Sequence, residues 1–385
     1  MHLALTEEQA LIQDAARRFA ASELAPVAAR VEEAEFRPGY LANLKKLAEL
    51  GLMGVNVAPE YGGSGAGVVA FSVAVTEVAR ACASTAVAVS VNNLVAEVIQ
   101  AIGNDEQKRA YVPRICDGTY PAAGFCLSEA GAGSDPSGMQ TRAVRDGGDY
   151  VLNGTKMWIS NAEYAGVFVV WAVTDAAAAP GKGISCFLVE AGTPGLSIGR
   201  AEHKMGQRGS STNPVIFDDV RVPASAMLGR ENDGFRIAVG ELTGGRIGIG
   251  SLALGVGTAA IDIARDYVRE RRQFGRPIGD FQGIQWMLAD TYTALEASRL
   301  LLMNAAYLKE TGQPYAKAAS MAKLHATETA NEACYTALQL MGGVGYTTEY
   351  PLERLARDAR VTTIYEGTSE IQRVIIAREL MREVA

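Results

Sequence analysis

The chain has 385 residues, of which 48% are hydrophobic and 21% are charged, and its formal net charge is −7 at pH 7. A chain of this length and apolar content can bury one large core or two to three smaller ones, so we expect a folded protein of two or three domains. Because the charge balance is acidic, no broad basic surface can neutralise phosphate groups, which argues against nucleic acid and anionic membrane as partners.

Cysteine and histidine usage argues against a metal centre. The five cysteines are widely spaced with no C-x-x-C pair, and the sequence contains three histidines. The sequence therefore predicts neither a zinc site nor a disulfide framework, and a reducing compartment fits best.

The N-terminal segment predicts a helix and no export signal. Residues 1–9 have no basic region leading into an apolar stretch, and Thr-Glu-Glu-Gln at 6–9 is typical of a capping box that opens a helix. The most apolar stretch, residues 81–91, ends at two asparagines and is too short to span a bilayer. We expect a cytoplasmic protein that does not enter the membrane.

Residues 1–120 are expected to form an N-terminal α-helical domain, because they lack strand-like alternation and are rich in Ala, Leu and Glu. Residues 121–230 are predicted to form an antiparallel β domain. Asn153-Gly154, flanked by β-like residues, is the strongest local signal for a β-hairpin. The apolar runs at 167–173, 184–189 and 215–222 have the length of ordinary strands.

Residues 231–385 are expected to form a bundle of about four long amphipathic helices. Apolar residues between 256 and 302 step by three, four or seven, which is typical of helices with one buried face. The order of helices, strands and helices lacks the βαβ alternation of a parallel doubly wound sheet. The predicted fold class is α+β, with a helical domain, a β domain and a helical bundle in that order.

No common phosphate-binding fingerprint is present, since neither G-x-G-x-x-G nor G-x-x-x-x-G-K-[ST] follows a predicted strand. The glycine-rich segment from Ser128 to Asp135 offers backbone N–H groups and hydroxyls that could bind a pyrophosphate or the edge of a flavin ring. Such a segment is also common as a plain turn.

Glu366 is the candidate general base. It lies between Tyr365 and Gly367, just before a helix that Thr368 or Ser369 could cap. A carboxylate in an apolar site has a raised pKa, which suits removal of a proton from a weakly acidic C–H bond. The local sequence also fits an exposed acid in a helix-entry loop.

Two further segments, residues 269–275 and 339–345, could contact phosphate or adenine. The first carries three arginines and a glutamine, and the second carries a glutamine and three glycines. Their alternatives are a solvated helix end for the first and a helix stop for the second.

Taken in order and at these spacings, the segments resemble the acyl-CoA dehydrogenase family over essentially the whole chain. The most diagnostic stretches are Phe-Cys-Leu-Ser-Glu-Ala-Gly-Ala-Gly-Ser-Asp at 125–135, and Gln-x-x-Gly-Gly-x-Gly at 339–345 followed by Ile-Tyr-Glu-Gly-Thr at 364–368. Between them lie the family-like Asn-Gly-Thr-Lys-x-Trp-Ile-Ser at 153–160, Arg-x-x-Phe-Gly at 271–275, and Gln282. Agreement of all five outweighs the separate alternatives.

The resemblance implies the same three-domain order, FAD as cofactor, and a homotetramer built as a dimer of dimers. It implies that FAD is bound, partly across a subunit interface, by Phe125, Leu127, Ser128, Gly133, Ser134, Trp158, Ile159, Ser160, Arg271, Phe274, Gln282, Gln339, Gly342, Gly343, Thr368, Ser369 and Glu370. It implies that the acyl-CoA substrate contacts Ser134, Thr243, Arg246, Tyr365 and Gly367.

The resemblance also implies α,β-dehydrogenation of an acyl-CoA to the trans-2-enoyl-CoA. Glu366 would remove the α proton while the β hydrogen passes as hydride to flavin N5, and the electrons would go on to an electron-transferring flavoprotein. The flavin ribityl hydroxyl and the backbone N–H of Glu366 would stabilise the developing enolate.

Two positions bear on this resemblance. Some members carry the base at the position of Gly245, where glycine cannot serve, and this favours Glu366. Thr243 stands where many members have an aspartate that contacts CoA.

Substrate and electron acceptor are less constrained. No cation occurs between Arg80 and Lys108, so we expect an uncharged acyl chain near residues 90–95. Small residues at 244–250 leave room for a short, medium or branched chain. The alternatives are a flavin oxidase or monooxygenase on the same scaffold, a catalytically silent flavoprotein that binds CoA esters or nucleic acid, and a helical protein without a cofactor.

Overall fold

The computed structural model describes residues 4–382, and the N-terminal part of the chain is helical. Residues 1–3 and 383–385, which the first and third predicted domains include, lie outside the described residues. Thr6 begins the first helix with the predicted capping box, because its side chain accepts from Gln9 N–H and the Gln9 side chain accepts from Thr6 N–H. The five α-helices of this part are α1 (Glu7–Phe19), α2 (Arg37–Glu49), α3 (Gly67–Ala81), α4 (Ala83–Ile102) and α5 (Asp105–Cys116).

A seven-stranded sheet forms the middle of the chain. Its strands are β1 (Ala122–Cys126), β2 (Arg142–Asp146), β3 (Asp149–Ser160), β4 (Ala165–Val173), β5 (Ile184–Glu190), β6 (Leu196–Ile198) and β7 (Thr212–Pro223). β3 pairs antiparallel with β2 and β7, β4 with β5, and β6 with β7. The edge strand β1 runs parallel to β4, and β2 meets β4 in parallel at one residue pair. The sheet is therefore mainly antiparallel with a parallel edge.

The predicted hairpin at Asn153-Gly154 is wrong, because both residues lie inside β3. Gly154 has a φ of 147°, and a Cβ there would lie 2.6–2.8 Å from atoms of Thr141. The register of β3 against β7 shifts between Leu152 and Gly154, so the pair forms a bulge in a continuous strand. The hairpin instead joins β2 to β3 through residues 147–148, the two glycines between Asp146 and Asp149.

The C-terminal part is a helical bundle. Its helices are α6 (Gly234–Glu270), α7 (Gln282–Glu310), α8 (Ala316–Met341), α9 (Leu352–Arg360) and α10 (Ser369–Arg382). Four of them are long, as predicted, and α9 is a shorter addition. A two-stranded ribbon, β8 (Arg272–Gln273) with β9 (Arg276–Pro277), connects α6 to α7. The predicted α+β architecture is thus confirmed.

The three parts of the chain pack closely on one another. Helix α6 contacts α3 and α4 of the N-terminal part and α7 and α8 of the bundle. The indole N–H of Trp171 in β4 donates to the carbonyl of Gly234 at 2.8 Å, which ties the sheet to the start of α6. Gln107 of α5 donates to the carbonyls of Ser225 and Met227, both at 2.9 Å, after the last strand.

Helices α4 and α6 are long and apolar enough to cross a membrane by length and composition alone. Within the fold, 78% and 83% of their most apolar windows are buried. Their apolar surfaces are therefore used in packing against the rest of the protein, as in core helices.

Candidate active site

Glu366 lies in the short connection between α9 and α10. Its backbone is left-handed, with a φ of 50°, and Gly367 follows with a φ of 90°. Thr368 accepts a hydrogen bond from the Ile371 N–H at 3.3 Å, so the predicted cap of α10 is formed by Thr368. Because left-handed backbone is rare in residues other than glycine, this turn needs support from the surrounding structure.

The carboxyl group of Glu366 faces into the protein. Its Oε2 is buried, has no hydrogen-bond partner within residues 4–382, and lies where a side chain at Gly245 would overlap it. Burial raises the pKa of Glu366 to about 7, although the positive charges of Lys323 and Arg246 oppose the increase. An exposed acid is therefore excluded, and the carboxyl group has the surroundings expected of a general base.

Arg246 extends from α6 into the same region and is buried. Its guanidinium lies 3.4 Å from Thr243 Oγ1 and 3.5 Å from Ser320 Oγ, while its Nε has no partner within the described chain. Burial lowers the pKa of Arg246, and the nearby Glu366 opposes that decrease. The Thr243 hydroxyl also donates to the carbonyl of Val239 at 2.9 Å, one turn earlier in the helix.

Tyr365 is held from the β domain. Its hydroxyl accepts from the Gln207 amide at 3.2 Å, and the same amide donates to the carbonyl of Asp358 at 3.1 Å. The Gln207 N–H donates to the Asp358 carboxylate, and burial raises the pKa of that carboxyl group to about 6. Neither Gln207 nor Asp358 was predicted, since nothing in their sequence surroundings distinguishes them.

Two further unpredicted residues, Lys323 of α8 and Gln372 of α10, support the turn at Glu366. Both are fully buried and both donate to the carbonyl of Gly367, at 2.8 and 2.9 Å respectively. A sequence signal for Lys323 exists, because it stands three and four residues from Ala319, Ala326 and other small residues that form the buried face of α8.

The helices α4 and α6 approach each other closely beside Glu366. A side chain at Gly245 would lie 3.4 Å from Leu94 Cδ2, and one at Gly248 would overlap Ser90 Oγ and come within 3.1 Å of Phe71. The Ser90 hydroxyl is buried and has no partner within the described chain. The two segments predicted to flank the acyl chain, 90–95 and 244–250, thus face each other.

The glycine-rich segment after β1 has an anchored beginning and an open middle. Glu129 is buried and pairs with Lys156 of β3, whose ammonium lies 2.8 Å from its Oε1 and 3.2 Å from the Leu127 carbonyl. A Cβ added at Gly131 or Gly133 would meet no other atom within 4 Å, and Ser134 is exposed. The backbone of this segment is therefore accessible.

Trp158 projects from a second bulge in β3. Its φ is 64°, and 55% of its surface is exposed. The register of β3 against β7 shifts between Lys156 and Ile159, which frees Trp158 from the ladder. Ile159 is 2% exposed and its side chain packs in the core of the sheet, so its backbone is the part that could contact a ligand.

The other predicted flavin-lining residues surround these two features. Phe125 is half-buried with its ring 4.4 Å from that of Trp171, Leu127 is buried, and Ser128 and Ser160 are partly exposed. Asn161, next to Ser160, donates its N–H to the Ser211 carbonyl at 2.7 Å, in the loop that also carries Gln207. One loop thus connects the Trp158 region to Tyr365.

The residues predicted to bind pyrophosphate and adenosine are on the surface. Phe274 is 92% exposed with a φ of 52°, and Gly342 ends α8 with a φ of 61°. Within residues 4–382, none of the residues predicted to bind pyrophosphate and adenosine makes a hydrogen bond or ion pair with Glu366, Arg246 or Lys323. The set comprises Arg271, Phe274, Gln282, Gln339, Gly342 and Gly343, all of them exposed, as is Glu370, which was predicted to complete the cofactor site. Ser369 is buried, and its hydroxyl has no partner in the described chain.

The fold agrees with what comparison with known proteins shows. Three family models match consecutive stretches: acyl-CoA dehydrogenase N-terminal domain at residues 6–119, middle domain at 124–220, and C-terminal domain at 232–381. The chain therefore belongs to the acyl-CoA dehydrogenase family, as the sequence resemblance indicated, and is an oxidoreductase of that class.

Relatives resemble the chain over nearly its whole length. The human short-chain specific acyl-CoA dehydrogenase is 47% identical over 98% of this chain and 91% of its own length. The acryloyl-CoA reductase (NADH) of Anaerotignum propionicum is 46% identical over 99% of this chain and 96% of its own.

Solved structures give the same result. Butyryl-CoA dehydrogenase from Megasphaera elsdenii superposes with a TM-score of 0.94 at 38% identity, covering 99% of this chain and 100% of that one. A chain solved in work on the electron transferring flavoprotein of Acidaminococcus fermentans gives 0.95 at 42% identity, with coverage of 99% and 100%. Members of this family are FAD-dependent, so family membership confirms FAD as the predicted cofactor.

Proposed function

We propose that the chain dehydrogenates a short, uncharged acyl-CoA to the trans-2-enoyl-CoA, with Glu366 as the base. The observation that carries this proposal is the buried Glu366 Oε2, which faces Gly245 and has no hydrogen-bond partner within the described chain. An unpaired buried polar atom is costly, and such atoms are retained where they perform chemistry.

Glu366 has the base strength that the reaction requires. With its pKa raised to about 7, a large fraction of the group is ionised at neutral pH while the anion remains a stronger base than an ordinary glutamate. The backbone N–H of Glu366 donates no hydrogen bond within residues 4–382. It is therefore free to bind the thioester carbonyl, whose oxygen gains negative charge as the α proton leaves.

The residues present fit FAD. The open backbone at Gly131 and Gly133 allows close approach of a flat ring or a pyrophosphate, and Trp158 projects beside it. Bound FAD would supply the acceptor for the hydride that leaves the β carbon. We propose that the flavin contacts Phe125, Leu127, Ser128, Gly133, Ser134, Trp158, the Ile159 backbone and Ser160. We propose that the rest of the cofactor contacts Arg271, Phe274, Gln282, Gln339, Gly342, Gly343, Thr368, Ser369 and Glu370.

The acyl chain is proposed to lie between α4 and α6. The contact of Ser90 with Gly248 is three residues along α6 from Gly245, or about 4.5 Å of helix rise, so the space beside Glu366 ends within one turn. This supports a short chain, as does the similarity to enzymes named for short-chain substrates. The other proposed substrate contacts are Ser134, Thr243, Arg246, Tyr365 and Gly367.

Pocket length is tested by Ser90→Gly, which removes the side chain that meets Gly248. The ratio of kcat/KM for octanoyl-CoA to that for butyryl-CoA is expected to rise by roughly tenfold or more, because each additional buried methylene is worth about 10-fold or more in specificity. An unchanged ratio would show that the chain does not run between these helices.

The electron acceptor is proposed to be an electron-transferring flavoprotein, supported by the structural similarity to a chain from work on such a flavoprotein. The oxidase or monooxygenase alternative differs in one measurable way. Rapid substrate-dependent oxygen consumption by the purified protein would favour it, whereas slow reoxidation in air with fast reoxidation by the flavoprotein would support the proposal.

We further propose a cytoplasmic homotetramer, a dimer of dimers, with domain boundaries near residues 120 and 230. Large apolar side chains are exposed near the proposed adenosine site, including Phe274 (92%), Trp286 (60%) and Tyr346 (85%). Exposed aromatic clusters of this kind are typical of interfaces between subunits. Sedimentation of the FAD-loaded protein measures the assembly directly.

The catalytic assignment is tested by Glu366→Gln, with Glu349→Gln as a matched control because Glu349 is an exposed glutamate in the same part of the chain. Glu366→Gln is expected to retain FAD and lose nearly all turnover, by a factor of about 10²–10⁴, since an amide cannot take the proton. Glu349→Gln is expected to match the unmodified protein. Full turnover in Glu366→Gln would refute the proposed mechanism.

A further inference from the structure

The turn that contains Glu366 is fixed by two buried hydrogen-bond donors, one on α8 and one on α10. Lys323 Nζ donates to the Gly367 carbonyl at 2.8 Å, and Gln372 Nε2 donates to the same carbonyl at 2.9 Å and lies 3.4 Å from the Glu366 carbonyl. Both side chains have 0% exposure. A left-handed pair of residues that is fixed by two buried donors has little freedom to relax.

Lys323 is an unusual residue for this location. A lysine is almost never fully buried unless it is paired, and its carbonyl partner carries no formal charge. Within the described chain, the Gly367 carbonyl is the only hydrogen-bond acceptor that the Lys323 ammonium contacts. Among the carboxylates, Glu366 does most to support the protonated form of Lys323, even though burial lowers the Lys323 pKa to about 8.

We infer that Lys323 is a positioning residue for the reaction: its buried ammonium anchors the Gly367 carbonyl and places a positive charge beside the turn that carries Glu366. This inference rests on the proposed function, in which Glu366 is the base. Gln372 shares the first task but not the second, because its amide is neutral. Comparing substitutions of Lys323 and Gln372 therefore distinguishes the effect of positioning from the effect of charge.

Three helices packed around Glu366 each contribute a charged group. Arg246 faces it from α6, Lys323 from α8, and Glu370 lies at the start of α10 and interacts with Lys323. The adjoining Tyr365 is neutral at physiological pH, because burial raises the pKa of its hydroxyl. Removing Lys323 leaves Arg246 as the one remaining cation that lowers the pKa of Glu366 among the described residues.

The test compares three variants in the FAD-loaded protein with butyryl-CoA, measuring kcat per bound FAD across pH. In Lys323→Met, the acid limb of kcat is expected to move up by about one pH unit, because an opposite charge nearby lowers a carboxyl pKa by about that much or more. Its kcat at pH 7 is expected to fall about fivefold or more, because such a shift lowers the ionised fraction of a group with a pKa of about 7 from about a half to about a tenth. In Lys323→Arg, which keeps the charge, the acid limb is expected to stay in place.

Gln372→Met isolates positioning. Its kcat is expected to fall while its acid limb remains at the pH found for the unmodified protein, since no charge is lost. Thr327→Val is the matched control: Thr327 is also fully buried on α8, one turn from Lys323, and its hydroxyl bonds within the helix. This control is expected to keep both kcat and the acid limb.

A purely structural role for Lys323 would contradict the inference. It would appear in Lys323→Met as a lower thermal midpoint or FAD content, with kcat per FAD within twofold of normal and an unmoved acid limb. If Lys323→Met does not fold, Gln372→Met and Lys323→Arg decide the matter: a normal kcat in Gln372→Met, or a displaced acid limb in Lys323→Arg, would overturn the inference. An inactive Glu366→Gln with a normal Lys323→Met refutes this inference alone, whereas an active Glu366→Gln refutes the proposed function.

Discussion

The buried ion pair between Glu129 and Lys156 gives a sharp prediction for stability and cofactor retention. It joins the start of the glycine-rich segment to β3, with Lys156 at 0% exposure and Nζ 2.8 Å from Glu129 Oε1. Glu129 also accepts the N–H groups of Gln140 at 2.6 Å and Thr141 at 2.9 Å. Lys156→Met would keep the apolar volume and leave the carboxylate in place without its cation.

The expected cost follows from the remaining contacts. Removing one partner of a buried ion pair costs about 3–5 kcal/mol, and the two backbone donors that Glu129 keeps place this case at about 3 kcal/mol. For 385 residues, an unfolding entropy of about 2.1 cal/mol/K per residue amounts to about 0.8 kcal/mol/K. The thermal midpoint of Lys156→Met should therefore fall by about 4 °C.

The loss of stability in Lys156→Met should also depend on pH. In the unmodified protein burial raises the pKa of Glu129, but Lys156 and the backbone donors outweigh it and leave the pKa lowered. The stability from this ionised carboxyl group is present above its unfolded pKa and is lost as pH falls through its folded pKa. Without Lys156 the pKa of Glu129 rises, so protonation relieves the buried charge and the difference between the two proteins shrinks in acid.

Differential scanning calorimetry at one scan rate, with FAD content measured in parallel, checks this prediction. Lys182→Met is the control, because Lys182 is an exposed lysine of the same domain, and it should change the midpoint by less than about 1 °C. A Lys156→Met midpoint equal to that of the control would refute the reasoning about the buried pair.

Three other outcomes are expected. Gly154→Ala should destabilise the protein by about 2 kcal/mol, because the φ of Gly154 is 147° and a Cβ there would lie within 2.8 Å of Thr141. Gly148→Ala, where a Cβ meets no other atom within 4 Å, should be near neutral in thermal unfolding. Equal effects of the two substitutions would contradict the bulge. The kcat should rise with pH through about 7 and then level off, as Glu366 ionises, and an acid limb at the ordinary glutamate pKa would contradict its burial. Gly245→Val should lower kcat by about 10²-fold while FAD remains bound, because the side chain would displace the carboxyl group, and an unaffected kcat would show that Glu366 faces elsewhere.

The large features of the fold follow from local patterns. The helical periodicity, the runs of β-like residues and the capping box at Thr6 are each decided by neighbours within a few residues, and all were predicted. The Asn153-Gly154 hairpin was wrong because a tertiary contact decides that position: β7 pairs with both sides of the bulge, and Thr141 fills the space beside Gly154. The turn preference of two adjacent residues contains no information about a partner strand about 60 residues away.

In the active site, too, local sequence predicted some residues, and the others depend on tertiary contacts. Glu366 was predicted because it stands in a diagnostic run near the C-terminus, and its inward orientation agrees with that prediction. Lys323 contacts the turn from α8 and Gln207 contacts it from a loop of the β domain, while Asp358 of α9 accepts hydrogen bonds from Gln207. These roles exist only after the chain folds. A lysine on the small-residue face of α8 was the one available signal, and it is visible only once the buried face is known.

The central claim is that the carboxyl group at 366 removes a proton from an acyl-CoA while flavin takes up the hydride. Anaerobic mixing of the FAD-loaded protein with butyryl-CoA, followed by flavin absorbance in a stopped-flow instrument, tests it most directly. The unmodified protein should bleach rapidly and Glu366→Gln should bleach more slowly by a factor of about 10² or more, with equal FAD content. Equal bleaching rates in the two proteins, or no bleaching in either with any acyl-CoA, would contradict the claim.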